Sequence, residues 1–314
     1  MTQIPYLSEE DLAALGLTAH DIVDCIEGAI RGSEAGRVWS APKAVMMPPE
    51  DGRYMMAALA AMDGPSLLAV KTVVLNPRNS DRGLPQINGL VTMLDSETGL
   101  PAAILDGNWV TAVRTAGLSA VAAKHLANES ASSIGFVGCG VQARSHLDAF
   151  AQMFPLERIK LFGRGQPNQD RLADAARSHG LSVAVCDSGQ AAIEDVDLVV
   201  TSITLTGGDA PFLDASRLKE GAFATMTDLG IPWHKESFAA LDRVVIDDVE
   251  QEAALPNKLC DPSVIAGDLS GLVLGQVAGR ATAGERTAFL FRGHALGDLA
   301  LSVLALQSHR ARTA

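Results

Sequence analysis

Between Ser133 and Arg164 the chain reads SIGFVGCGVQARSHLDAFAQMFPLERIKLFGR. A short apolar run, Ile134 to Val137, stops at Gly138-Cys139-Gly140-Val141-Gln142-Ala143, and a helical pattern follows. That order is strand, tight turn, helix, and it leaves few folds open. In such a turn the first glycine permits the bend, the second lets backbone approach a pyrophosphate, and the third small residue lets helix pack on strand. Gly138, Gly140 and Ala143 fit these roles, with Val141 and Gln142 between them. A helix opening at Gly140 aims unpaired N–H groups and its positive dipole end at the phosphates. A lone GxGxxA arises by chance in a glycine-rich chain. Here a second β-like run, Arg158 to Phe162, follows after one helix, as a dinucleotide-binding unit requires.

At 314 residues the chain exceeds the size at which one core stops growing, so two domains are expected. The second part alternates strand and helix: Ile134 to Val137, Arg158 to Phe162, Leu181 to Val185, Leu198 to Thr201, Ala222 to Met226 and Arg243 to Ile246. Such alternation means a parallel sheet covered on both faces. The first part opens on two helices, starting near Ser8 and Thr18, the second ending at Gly36. Strands follow at Lys43 to Met47, Tyr54 to Leu59, Leu67 to Leu75, Ile87 to Leu94 and, after a turn, Leu100 to Leu105. Asn108 is placed to cap the next, alanine-rich helix. Near the end, Leu296 to Leu306 is apolar almost all round, hence a buried helix returning to the first domain. The fold class is therefore α/β: a Rossmann-type, doubly wound parallel sheet over about 121–289, and a β-rich α+β domain over about 1–120 with a final helix at about 290–314.

Composition narrows the partners. Lysine and arginine total 25 against 37 acids, a formal charge of −12, which argues against nucleic acid or an anionic membrane. The opening residues lack the basic start of a leader, and no apolar run nears the roughly twenty residues that span a bilayer. Cys25, Cys139, Cys186 and Cys260 lie far apart without metal-ligand spacing, which suits a reducing, cytoplasmic compartment and no metal.

Four stretches, LLAVKTVVLNPRN (67–79), ILDGNWVTAVRTAGLSA (104–120), GFVGCGVQA (135–143) and TMTDLG (225–230), in this order and spacing resemble the ornithine cyclodeaminase and μ-crystallin family. The resemblance runs over nearly the whole chain and is most specific in the R-T-A-x-x-S-A run. It implies a Rossmann domain inserted into a β-rich substrate and dimerisation domain, with the active site between the two, and a homodimer. It also implies one of three activities. The first is NAD(P)H-dependent reduction of α-imino acids, including cyclic ketimines such as pyrroline-2-carboxylate. The second is ornithine or lysine cyclodeamination with release of ammonia. The third is non-catalytic, NADPH-dependent binding of a small molecule.

Carried over by position, Lys71 matches the family's active-site lysine and Arg114 the arginine that holds the substrate carboxylate; Lys43 falls where many members have an arginine for the same group. Asp228 matches an aspartate that handles the substrate amine, although the loop after it, Leu229 to Glu236, is longer than the cyclodeaminase pattern. Lys71 and Asp228 are thus the expected catalytic pair. Thr115, Thr201 and Ser202 are expected to line the cofactor. Plain alternatives stand beside these: Lys71 as a strand lysine reaching solvent, Lys43 solvated after Pro42, and Asp228 as an Asx turn. His234 is expected at the surface. The second strand of the parallel sheet runs into Gly163-Arg164 with no acid to hold ribose hydroxyls, so NADP(H) is favoured over NAD(H), with Arg164 on the 2′-phosphate. In the family an acid on the strand after Lys43 seats the distal ammonium of ornithine; here that stretch is Tyr54-Met55-Met56-Ala57-Ala58, which favours imine reduction.

Overall fold

A computed structural model of the chain describes residues 4–48, 52–204 and 210–313. The opening Met1-Thr2-Gln3, on which the expectation about a leader rests, lies outside the described residues. The chain is α/β and divides into two compact units, Met1–Arg114 with His294–Ala314, and Thr115–Gly293.

The first unit carries β1 (Tyr6–Leu7), α1 (Glu9–Ala13), α2 (Ala19–Glu34), β2 (Val38–Ser40), β3 (Ala44–Met46), β4 (Tyr54–Met62), β5 (Leu67–Leu75), β6 (Ile87–Asp95) and β7 (Pro101–Asp106). Helix α3 (Gly107–Leu126) contains the boundary between the units. Ser8 and Thr18 close capping boxes with Asp11 and Asp21, which fixes where α1 and α2 begin. Asn108 does not cap α3. The helix starts one residue earlier, and the Asp106 carboxylate accepts the Trp109 N–H at 2.8 Å. The strands form a seven-stranded sheet in the order β1-β7-β6-β5-β4-β2, with β3 also on β4. Only β1, on β7, runs parallel.

Strand β5 alternates strictly: Leu67, Ala69, Lys71 and Val73 are buried, Thr72 and Val74 exposed. Lys71 thus sits on the core face, between Ala58 of β4 and Val91 of β6. The last helix of the chain, named α9 in chain order below, spans Ala295–Thr313 and packs on β4, β5 and α2. Its fully buried Leu299, Leu301 and Leu306 contribute about 1.5–3 kcal/mol each.

In the second unit the elements are β8 (Ser133–Val137), α4 (Val141–Met153), β9 (Arg158–Phe162), α5 (Gln166–Ser178), β10 (Ser182–Val185), α6 (Gly189–Ile193), β11 (Leu198–Thr201), β12 (Phe223–Met226), β13 (Arg243–Ile246), α7 (Val249–Ala254), β14 (Ile265–Asp268), α8 (Leu269–Val273) and β15 (Thr287–Leu290). The strands make an eight-stranded sheet in the order β10-β9-β8-β11-β12-β15-β13-β14, parallel throughout. Strands β8, β11, β12 and β15 are buried along their whole length, the mark of a sheet covered on both faces. The strand order reverses at β8, with β9 on one side and β11 on the other. Open α/β sheets bind ligands at that switch point, outside the carboxyl ends of the strands.

Candidate active site

The glycine turn follows β8 at this switch point. Gly138 has φ +94°, and a Cβ there would lie 2.5 Å from the Ser202 carbonyl oxygen, so only glycine fits. Gly138 N–H donates to Phe162 O at 2.8 Å and Ser202 N–H to Val137 O at 2.9 Å, which ties the ends of β9, β8 and β11 together. Gly140 differs. It is the N-cap of α4 with no side-chain hydrogen bond, and a Cβ on it would meet no atom of the described residues within 4 Å. The space beside it is open and the first N–H groups of α4 face no capping side chain, an arrangement that fits a phosphate. Ala143 is fully buried, Val141 exposed, and Gln142 half-buried with its Oε1 lacking a hydrogen-bond donor among the described residues.

A cavity of about 370 Å³ opens here, lined by Gly138, Gly140, Gly163, Arg164, Asn168 and Ser202 among others, with no carboxylate among its described lining residues. Thr201 does not line it. Its side chain is fully buried and engaged with Asp228. Thr115 is buried along α3.

In the first unit a second group of functional side chains forms around Asp298 of α9, which sequence reasoning missed. Lys71 Nζ lies 2.5 Å from Asp298 Oδ1, and Arg114 Nε lies 3.0 Å from the same oxygen. Lys71, Arg114 and Asp298 are all buried. Arg114 Nε approaches Asp298 without the alignment of a hydrogen bond, and both Nε and Nη1 lack an acceptor among the described residues. Two cations on one carboxylate leave a net positive charge in low dielectric, which suits an anionic ligand. Burial, with repulsion from Arg114, pushes the Lys71 ammonium down to about 8 against the opposing pull of Asp298. Lys43, half-buried ahead of β3, adds its repulsion to the same group.

Asp228 follows β12 and is 3% exposed. Thr201 Oγ1 donates to its Oδ1 at 2.9 Å and Ile203 N–H to its Oδ2 at 3.1 Å. Burial raises its carboxyl to about 6 in spite of these donors. The loop beyond it turns through two left-handed residues, Leu229 at φ +61° and Gly230 at φ +66°. For leucine that conformation costs about 1 kcal/mol or more, strain of the kind that collects at functional sites. His234 is half-exposed, 3.5 Å from Glu236.

A third buried group was also missed. His146 of α4 bonds Ser119 Oγ at 2.8 Å and Gln142 O at 2.7 Å, and Ser119 bonds Thr225 Oγ1 at 2.8 Å. Because a carbonyl can only accept, Nδ1 carries the proton and Nε2 accepts. Burial drives this imidazole down to about 4, so it is neutral and fastens α3, α4 and β12.

A family model described as the ornithine cyclodeaminase/mu-crystallin family matches residues 7–310. Ketimine reductase mu-crystallin of Rattus norvegicus is 30% identical, over 81% of this chain and 79% of the rat protein. Delta(1)-pyrroline-2-carboxylate reductase of Bacillus cereus is 29% identical over 76% of each chain. Among solved structures, that of Thermococcus litoralis Delta(1)-pyrroline-2-carboxylate reductase, in complex with NADH and L-proline, superposes with a TM-score of 0.89 at 23% identity, covering 99% of this chain and 98% of that one. Among the described residues no helix is long and apolar enough to cross a membrane, and no cluster of histidine, cysteine and carboxylate side chains has metal-binding geometry.

Proposed function

Because the chain belongs to the ornithine cyclodeaminase/μ-crystallin family, we propose that it is a nicotinamide-dependent reductase of α-imino acids, with cyclic ketimines such as pyrroline-2-carboxylate as the leading substrate class. The observation that carries this reading is the buried Lys71–Asp298–Arg114 group, whose arginine has Nε and Nη1 without hydrogen-bond acceptors among the described residues. A substrate carboxylate supplies both the missing charge and the missing acceptors. Arg114 and Lys71, with Lys43, then anchor the substrate. The glycine turn would hold the nicotinamide cofactor, which when bound would supply the hydride for C2 of the C=N bond. The nitrogen must gain a proton in the same reaction, and Asp228, raised by burial, carries one at mildly acidic pH.

The same face of the first unit's sheet supports reduction over cyclodeamination. Tyr54 and Met56 share the face of Ala58, the cross-strand neighbour of Lys71, and none of the three bears a charge. An ornithine ammonium seated against them would cost several kcal/mol. Cyclodeamination is the second reading, favoured by Asp228, which matches the aspartate of cyclodeaminases. Binding without turnover is the third, and a positioned acid argues against it.

Arg164 beside a cavity without a described carboxylate supports a preference for NADP(H), with NAD(H) also accepted. Met46, Val74 and Leu90 leave an apolar surface on one face of the first unit's sheet, which supports a homodimer; light scattering giving a monomer of 32.8 kDa would remove that part. The four cysteines form no disulfide, in keeping with a reducing compartment such as the cytoplasm. The test is to mix the purified protein with NADPH and a panel of α-imino acids and follow NADPH absorbance. Consumption with formation of the matching amino acid supports the reading, whereas tight NADPH binding without turnover of any member points to the binder.

A further inference from the structure

Thr201 and Trp233 belong to no step described so far, yet both are fully buried and joined to Asp228. Trp233 Nε1 donates to Thr201 Oγ1 at 3.2 Å, and Thr201 Oγ1 lies 2.9 Å from Asp228 Oδ1. The indole N–H can only donate. It therefore occupies a lone pair of the threonine oxygen and leaves the one hydroxyl proton to point at Asp228. Thr227 Oγ1 donates to the Thr201 carbonyl at 3.0 Å, which fixes the backbone from which this hydroxyl projects. Trp233 is held in turn by its N–H bond to Gly230 O at 3.2 Å and by a bridge between Leu213 and Trp233.

We propose that Thr201, oriented by Trp233, is a positioning residue that holds Asp228 as a hydrogen-bond acceptor and thereby sets the pH at which Asp228 gives its proton to the imine nitrogen. The proposal rests on the reading of Asp228 as the acid of an imine reductase, and it takes Thr201 away from the cofactor. With Oδ1 accepting from Thr201 and Oδ2 from Ile203 N–H, the carboxylate's surroundings are donors, which stabilise the charged form and ease loss of the proton. The N–H groups of Asp228 itself and Gly230 add to this. The leading influences on Asp228 among the described residues are burial and these donors rather than a charged side chain. Of the charged groups on neighbouring strand ends, Arg292 pairs with Glu252 at 2.7 Å and Asp247 accepts from the N–H groups of Arg292 and Gly293. The hydroxyl of Thr201 is thus the one side-chain group on Asp228 among the described residues whose removal changes its titration without touching a charge.

The experiment measures kcat/KM for NADPH-dependent reduction of pyrroline-2-carboxylate against pH for the full chain and for Thr201→Val, Thr201→Ser, Trp233→Phe and Asp228→Asn. Removing a hydrogen bond to a charged group raises its pKa, here by about one pH unit. Activity needs the protonated acid, so the alkaline limb of Thr201→Val moves up by that amount, with KM for NADPH unchanged. Thr201→Ser, which keeps the hydroxyl, follows the parent chain, and Trp233→Phe moves the limb the same way by less. A Thr201→Val limb that coincides with the parent limb overturns the proposal. So does a raised KM for NADPH as its sole effect, which would return Thr201 to the cofactor. Should Thr201→Val fail to fold, the limb of Trp233→Phe decides. Failure of the underlying reading looks different: Asp228→Asn would then keep the parent rate and the parent limb.

Discussion

Lys71 Nζ stands 2.5 Å from Asp298 Oδ1, joining the buried face of β5 to the first turn of the last helix. Removing the charge of Asp298 leaves Lys71 and Arg114 as buried cations facing each other. Asp298→Asn should lower the unfolding free energy by about 3 kcal/mol. A ligand anion should restore part of it, so L-proline should stabilise the variant more than the parent chain. Denaturant unfolding with and without L-proline checks both. Equal midpoints for the two proteins would mean that Asp298 carries no such role.

The pH dependence has a definite sign. Reduction needs Asp228 protonated, which holds below about 6, and Lys71 charged, which holds below about 8. Both are lost as pH rises, so kcat/KM for imine reduction should fall above about 6 and more steeply above about 8. Amino acid oxidation needs the opposite state of Asp228 and the same state of Lys71, giving a bell between those values. A reduction rate that climbs from neutral into alkaline pH contradicts this assignment.

The two glycines of the turn should fail in different ways. At Gly138 a side chain meets the Ser202 carbonyl and a left-handed backbone, so Gly138→Ala should lose stability, by about 1 kcal/mol or more. At Gly140 a Cβ meets no atom of the described residues within 4 Å, so Gly140→Val should fold normally and lose NADPH binding. Fluorescence titration together with thermal unfolding separates the two. Unchanged NADPH affinity in Gly140→Val would remove the phosphate from this turn.

The parts legible in the sequence were those set by neighbours along the chain. The glycine turn and the helix starts at Ser8 and Thr18 follow from short spacing. What escaped depends on partners far apart. Strand β15, four residues long, slots between β12 and β13, and no local pattern says so. Asp298 lies 227 positions from Lys71, though one signal was present: an acid in the helix run ALGDLALSVLAL, otherwise apolar enough to be buried all round. Thr201 reads as a cofactor-lining residue at a strand end, and its bond from Trp233, 32 positions on, has no local signal.

Arg164 tests the cofactor preference. A guanidinium on the 2′-phosphate contributes charge-assisted hydrogen bonds of about 1.5–3 kcal/mol. Arg164→Ala should therefore raise KM for NADPH by roughly tenfold or more while leaving KM for NADH nearly unchanged. Equal effects on the two cofactors would assign Arg164 to the general shape of the cavity instead.

Imine reduction by a site without a place for a distal ammonium is tested by one pair of assays. Pyrroline-2-carboxylate is supplied with NADPH, and L-ornithine with catalytic NADP⁺ or NAD⁺, while proline and ammonia are followed in both. Proline is expected from the imine, matched by NADPH consumed, with little or no ammonia from ornithine. Stoichiometric proline and ammonia from L-ornithine, at a turnover equal to that of the imine, would contradict it.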